Sequence, residues 1–119
     1  MQLNNGIDII YIPNIKKILT PHILNKLFTL NEQEYFQKKN MSLETIAGFF
    51  AAKEAFLKSI NQGIDFCKMT DIEISHDKNG SPYFNLHQEL KKKVKNITFS
   101  LSISHDHNYA IAFVVALFL

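Results

Sequence analysis

The sequence contains no arginine: all 13 of its basic residues are lysines. Without a guanidinium, no side chain can grip a phosphate or a guanine edge through two parallel hydrogen bonds. Phosphate binding would fall to lysine point charges, backbone N–H groups or a metal ion. The single cysteine, Cys67, excludes an internal disulfide and a thiolate metal cluster, and fits a reducing compartment. The formal charge of +2 is too small to argue for a nucleic-acid partner. Long hydrophobic runs are missing too. The longest, Tyr109–Leu119, falls far short of the roughly 20 residues a membrane helix needs. The N-terminus lacks the basic segment and apolar run of a signal peptide. The expectation is a cytoplasmic protein with no membrane contact. Walker, Rossmann, Ser/His/Asp and HExxH signatures are absent, as are repeats, linkers and low-complexity tracts.

What remains is enough for one folded domain over residues 1–119, with 46% hydrophobic residues and a length too short for two cores. Its centre is Ile46–Gly63, rich in Ala, Leu, Lys and Phe and free of proline. This predicts a helix over Leu43–Asn61, with Ser42 as N-cap and glycine as the stop. At about 100° per residue, Glu54 falls in an apolar stripe with Leu43, Ala47, Phe50 and Leu57, and Lys58 lies beside it at i+4. A carboxylate there needs a partner. Either it forms an internal ion pair with Lys58 or Lys53, or it holds a metal ion, and the helix leaves both open.

A second acid raises the same question. Gly6–Tyr11 reads as a strand, with Asp8 on the face of Gly6 and Ile10 and with Ile7 and Ile9 opposite. Asp8 is either an Asx turn or cap, or a second acidic ligand. A hard divalent cation would explain both acids, since magnesium takes one or two carboxylates plus water and substrate phosphate.

Short helices are expected after Pro13, after Thr20-Pro21, and from Asn31, with Glu34 completing a capping box. Their lysines form a solvated face or a docking surface for an acidic partner. Asp71–His76 and Tyr83–Leu86 read as a hairpin around Asn79-Gly80. His87–Lys95 reads as a short basic helix. Ile97–Ser104 alternates cleanly as a strand, and His105–Asn108 makes a turn. That turn is ordinary turn chemistry, a metal site, or a phosphate or substrate contact. Tyr109–Leu119 reads as a strand buried on both faces, which in so small a protein calls for a partner subunit. The class is α+β, with an antiparallel sheet packed on a long central helix.

Three segments together resemble the holo-acyl-carrier-protein synthases, which are phosphopantetheinyl transferases. They are Gly6-Ile7-Asp8-Ile9; Phe50-Ala51-Ala52-Lys53-Glu54-Ala55-Phe56-Leu57-Lys58; and Ser102-Ile103-Ser104-His105 followed by Tyr109-Ala110-Ile111-Ala112. Asp71–Ile74 and Gly80-Ser81-Pro82 also look like the family's, and order and spacing match nearly the whole chain. The resemblance implies magnesium-dependent transfer of 4′-phosphopantetheine from coenzyme A to a serine of apo-acyl carrier protein, for fatty acid synthesis, releasing adenosine 3′,5′-bisphosphate. It implies a homotrimer with sheet edges meeting and coenzyme A in a cleft between subunits.

Carried over, Asp8 and Glu54 would be the magnesium ligands, with Lys58 beside the phosphates as the third catalytic residue. Either Lys58 or Glu54 would be the base. Lys53, Gly80, Pro82 and His105 would contact the coenzyme, and Lys16, Lys17 and Lys26 the acidic carrier. Two positions depart from the family. Phe49 stands where an arginine is usual, and Ser59-Ile60-Asn61-Gln62-Gly63 replaces Ala-Leu-Gly-Thr-Gly. They motivate an alternative: a weak or inactive trimer that binds coenzyme A or the carrier. A structural oligomer with an internal Glu54–Lys58 pair is a third reading.

Overall fold

A computed structural model describes residues 1–119. Strand β1 (Gln2–Tyr11) leads into three short helices, α1 (Ile12–Ile18), α2 (Pro21–Leu27) and α3 (Leu30–Lys38), and then into the long helix α4 (Leu43–Ser59). Two 3-10 turns precede the hairpin β2 (Ile72–His76) and β3 (Pro82–Leu86). Helix α5 (Gln88–Lys93) and the hairpin β4 (Ile97–Asp106) and β5 (Tyr109–Phe118) complete the chain. The strands form two antiparallel sheets, one in the order β1-β5-β4 and one of β2 and β3. Asp8 lies opposite Ala112, which lies opposite Ile103. The expected α+β class, with antiparallel strands against a central helix, is the one found.

Helix α4 is the keel because its sequence is apolar on nearly all sides. Ile46, Ala47, Phe49, Ala51, Ala52, Ala55 and Phe56 are all buried. Its small alanines meet Ala110, Ala112 and Val114 of β5 in the main core. Phe56 and Leu57 reach a second cluster with Ile72, Leu90 and Val94.

The helix starts as expected, with the Ser42 hydroxyl accepting from the Thr45 N–H. It ends differently. The left-handed residue is Asn61 (φ 57), not Gly63. The Asn61 and Gln62 N–H groups donate back to the Lys58 and Leu57 carbonyls, the pattern of a Schellman cap. Asparagine tolerates that conformation, so the departure from glycine leaves the cap intact.

Three other expectations are corrected. Helix α3 is capped by Thr29, not Asn31. Thr29 Oγ1 accepts from the Glu32 N–H, and the Glu32 carboxylate accepts from the Thr29 N–H. His105 and Asp106 belong to β4, so the turn is only His107-Asn108, with His107 at φ 52. Strand β5 is buried on one face only: Ala110, Ala112, Val114 and Ala116 are covered, whereas Tyr109, Ile111 and Phe113 are exposed. Ile7, Ile9 and Tyr11 of β1 extend that bare apolar face.

Candidate active site

The site starts at Gly6. A Cβ there would lie 2.1 Å from the Ala55 carbonyl oxygen and 2.6 Å from the Ser59 nitrogen. Strand β1 therefore crosses α4 in backbone contact only because residue 6 has no side chain. Strand alternation then turns Asp8 to the same face, against the last turns of the helix.

There, Lys58 Nζ donates to Asp8 Oδ1 at 3.0 Å and to the Ile7 carbonyl at 2.9 Å. Asp8 sits mid-strand, so it is neither a turn residue nor a cap; the N-cap of α1 is Tyr11. Glu54 lies one helical turn before Lys58 and is half-buried. Burial first, and then the negative charge of Asp8, hold its carboxyl above the usual carboxylate value; Lys58 opposes them. No ion pair of Glu54 with Lys58 or Lys53 forms. Lys58 is committed to Asp8, and Lys53 to Glu32.

Asp8, Glu54 and Lys58 are thus brought together: two carboxylates and one ammonium, one positive charge short of neutral. Beside them runs a groove of about 700 Å³, walled by Phe50, Glu54, Ile18, Ile23, Lys26 and Lys68 among others. Lys26 is placed on this groove. Lys16 and Lys17 are exposed in the last turn of α1, next to Ile18.

A second cluster forms elsewhere. Gly80, Pro82 and His105 converge on a smaller cleft of about 200 Å³, which Tyr35, Glu44, Phe49 and His76 also line. His105 Nδ1 lies 2.6 Å from Glu44 Oε2. Glu44 and Glu54 are separated by about 15 Å along α4, and no single cavity of the chain holds both clusters.

Lys53 joins neither. It is fully buried, and its ammonium donates to Glu32 Oε1 at 2.7 Å and to the Leu27 and Met69 carbonyls at 2.7 and 2.9 Å. All three N–H donors are spent inside the fold. Its role is to tie α2, α3 and the connector before β2 to α4, and a coenzyme contact is out of its reach. Phe49 is also a core residue, packed on Tyr35 and Phe36. Sequence reasoning passed over His76, Tyr35 and Glu44. None belongs to a motif, and only the folded hairpin brings them beside Gly80 and His105.

Residues 5–114 match the model of the 4′-phosphopantetheinyl transferase superfamily. The holo-[acyl-carrier-protein] synthase of Alkaliphilus oremlandii is 42% identical over 94% of this chain and 96% of its own length. Among solved structures, the Helicobacter pylori holo-[acyl-carrier-protein] synthase in complex with coenzyme A superposes with a TM-score of 0.84. It is 36% identical, with 95% of this chain and 99% of that one covered. The Neisseria meningitidis synthase superposes with a TM-score of 0.89 at 30% identity, with 96% and 97% covered.

Proposed function

This chain belongs to the 4′-phosphopantetheinyl transferase superfamily, and from that premise we propose that it transfers 4′-phosphopantetheine from coenzyme A to a serine of an apo-acyl carrier protein. The observation that carries the proposal is the meeting of Asp8, Glu54 and Lys58, held by the contact of Gly6 with α4.

Their donor set fits magnesium. Burial and then the Asp8 charge hold the Glu54 carboxyl above its usual value, and the one ammonium near the two acids pairs with Asp8 alone. Hard oxygen donors in that number suit a cation that completes its shell with water and substrate phosphate. Asp8 and Glu54 would hold it, and when bound it would neutralise charge on the coenzyme diphosphate.

The chain's own residues do the rest. Lys58, half-exposed and fixed by Ile7 and Asp8, places an ammonium where a phosphate can reach it. The carrier serine oxygen forms a bond to the phosphorus that bears pantetheine. The P–O bond of the diphosphate breaks, and adenosine 3′,5′-bisphosphate leaves. The hydroxyl proton passes to a base. Glu54 and Lys58 are the candidates for that base, and Lys58 already donates to two acceptors.

The groove beside Glu54 supports carrier docking through Lys26, with Lys16 and Lys17 adding charge on α1. The bare face of Ile7, Ile9, Ile111 and Phe113 supports a homotrimer. Assembly would also let the acid pair of one subunit face the Gly80–His105 cleft of another, as a coenzyme site shared between subunits requires. No helix is long and apolar enough to cross a membrane. Incubation with magnesium, coenzyme A and apo-carrier tests the reading: the carrier should gain the mass of one phosphopantetheine. An unchanged carrier beside folded protein would reject it.

A further inference from the structure

We infer that Lys53 is a positioning residue that sets the gap of the groove beside Glu54, and that its two backbone bonds decide how well an acidic carrier segment seats there. The inference rests on the transferase reading and deepens it.

The groove has a floor and two walls, and they come from three separate stretches of chain. Phe50 and Glu54 of α4 belong to the floor. Ile23 and Lys26 of α2 belong to one wall, and Ile64 and Lys68 of the connector before β2 to the other. Neither wall is a strand, so no sheet ladder joins them. Packing holds them loosely as well. No residue of α2, and none from Asn61 to Asp71, is fully buried. Directed bonds therefore matter more here than in the core.

Lys53 supplies those bonds. It projects from α4 between Phe50 and Glu54 in the chain, and its stem is fully buried. Its ammonium donates at 2.7 Å to the carbonyl of Leu27, the last residue of α2, and at 2.9 Å to the carbonyl of Met69 in the connector. The third donor goes to Glu32 of α3 at 2.7 Å. One nitrogen thus fixes each wall against the other and both against the floor. Burying an ammonium is costly unless its bonds are made, and two of the three are made to the walls.

Each wall carries one lysine and one isoleucine beside the Phe50 floor. That arrangement suits a segment with an apolar stripe flanked by carboxylates. The gap sets the separation of the two ammonium groups, and so which acidic segment fits. The floor is held by other means. Ala51, Ala52 and Ala55 are buried in the main core, and Gly6 meets α4 in backbone contact. Loosened walls leave Asp8, Glu54 and Lys58 where they are, so docking is separable from chemistry.

The test is steady-state transfer from coenzyme A to an apo-acyl carrier protein, with magnesium, by the wild type, Glu32→Gln and Lys53→Met/Glu32→Gln. Circular dichroism confirms that each is folded at the assay temperature. Glu32→Gln breaks the ion pair but leaves both carbonyl bonds, so it should melt lower and keep the KM for the carrier within about twofold. The double variant loses the carbonyl bonds too. It should raise the KM for the carrier about tenfold or more, with kcat and the KM for coenzyme A within about threefold. An unchanged KM for the carrier in the folded double variant would overturn the inference. So would a fall in kcat at unchanged KM, or an equal rise in both variants. If the double variant does not fold, Lys53→Arg decides: its longer, planar guanidinium keeps the charge but spreads the two carbonyls, so the KM for the carrier should again rise about tenfold at unchanged kcat. No rise there would overturn the inference as well. A wild type that transfers, with variants that match it, removes the inference alone. A folded wild type that leaves the carrier unmodified removes the transferase reading and the inference with it.

Discussion

Replacing Gly6 with alanine adds one methyl group, and it should cost far more activity than stability. The two atoms the methyl meets first, the Ala55 oxygen at 2.1 Å and the Ser59 nitrogen at 2.6 Å, belong to the backbone of α4 and cannot rotate away. Restoring an ordinary contact means moving β1 off the helix by about 1 Å. Overpacking of that kind costs about 1–3 kcal/mol, a fall in Tm of roughly 5–10 °C for a domain of this size. Asp8 is only two residues further along the same strand and moves with it. Its 3.0 Å bond to Lys58 stretches and the acid pair opens. A displacement of about 1 Å at a reacting centre costs on the order of 100-fold in rate. Turnover of coenzyme A with a carrier, read beside a thermal melt, separates the two effects. Gly63→Ala is the control, because a Cβ there meets nothing within 4 Å and the backbone is extended. Full turnover in the Gly6 variant, or an equal loss in the Gly63 control, would refute the reasoning.

Three further outcomes follow from the same structure. Burial and the Asp8 charge raise the Glu54 carboxyl above the usual carboxylate value in the fold, so its contribution to stability is complete below that usual value and is lost as pH rises through the raised one. A cation must displace the same proton. The Tm gain from magnesium should therefore be small within the usual carboxylate range, grow as pH rises through the raised value and vanish in Glu54→Gln, and a gain that is flat with pH would contradict this. Ile9→Glu puts a charge on the bare sheet face, where Ile9 is 59% exposed. Sedimentation should then show monomer with an unchanged fold, and an intact oligomer would place the interface elsewhere. Asn61→Gly should be neutral or slightly stabilising, whereas Asn61→Val, forced to φ 57, should lose about 1–2 kcal/mol in denaturant unfolding. Equal stability of the two would show that the cap does not matter.

The sequence could be read wherever one element dictated its own neighbours. The alternation of Ile97, Phe99, Leu101 and Ile103 marked β4, and the lone acids Asp8 and Glu54 pointed to two side chains that the fold brings together. Reading failed where distant residues decided between equal local patterns. Thr29-Leu-Asn-Glu32 and Asn31-Glu-Gln-Glu34 both have capping-box spacing. The first prevails because Glu32 also accepts from buried Lys53 and from the Ile74 N–H, which lie far along the chain. Lys53 looked like a ligand contact because nothing local shows the Leu27 and Met69 carbonyls closing around it. Gly63 looked like the helix stop because glycine is the commoner choice, yet Asn61 reaches the left-handed conformation two residues earlier.

The mass of an apo-acyl carrier protein after incubation with coenzyme A and magnesium, measured for the wild type and for Glu54→Gln, bears most directly on the shared site of Asp8, Glu54 and Lys58. The wild type should add one phosphopantetheine to each carrier, and the folded variant should slow that gain by about 100-fold or more, since an amide is a poor magnesium ligand. Modification at the wild-type rate by Glu54→Gln would contradict the account.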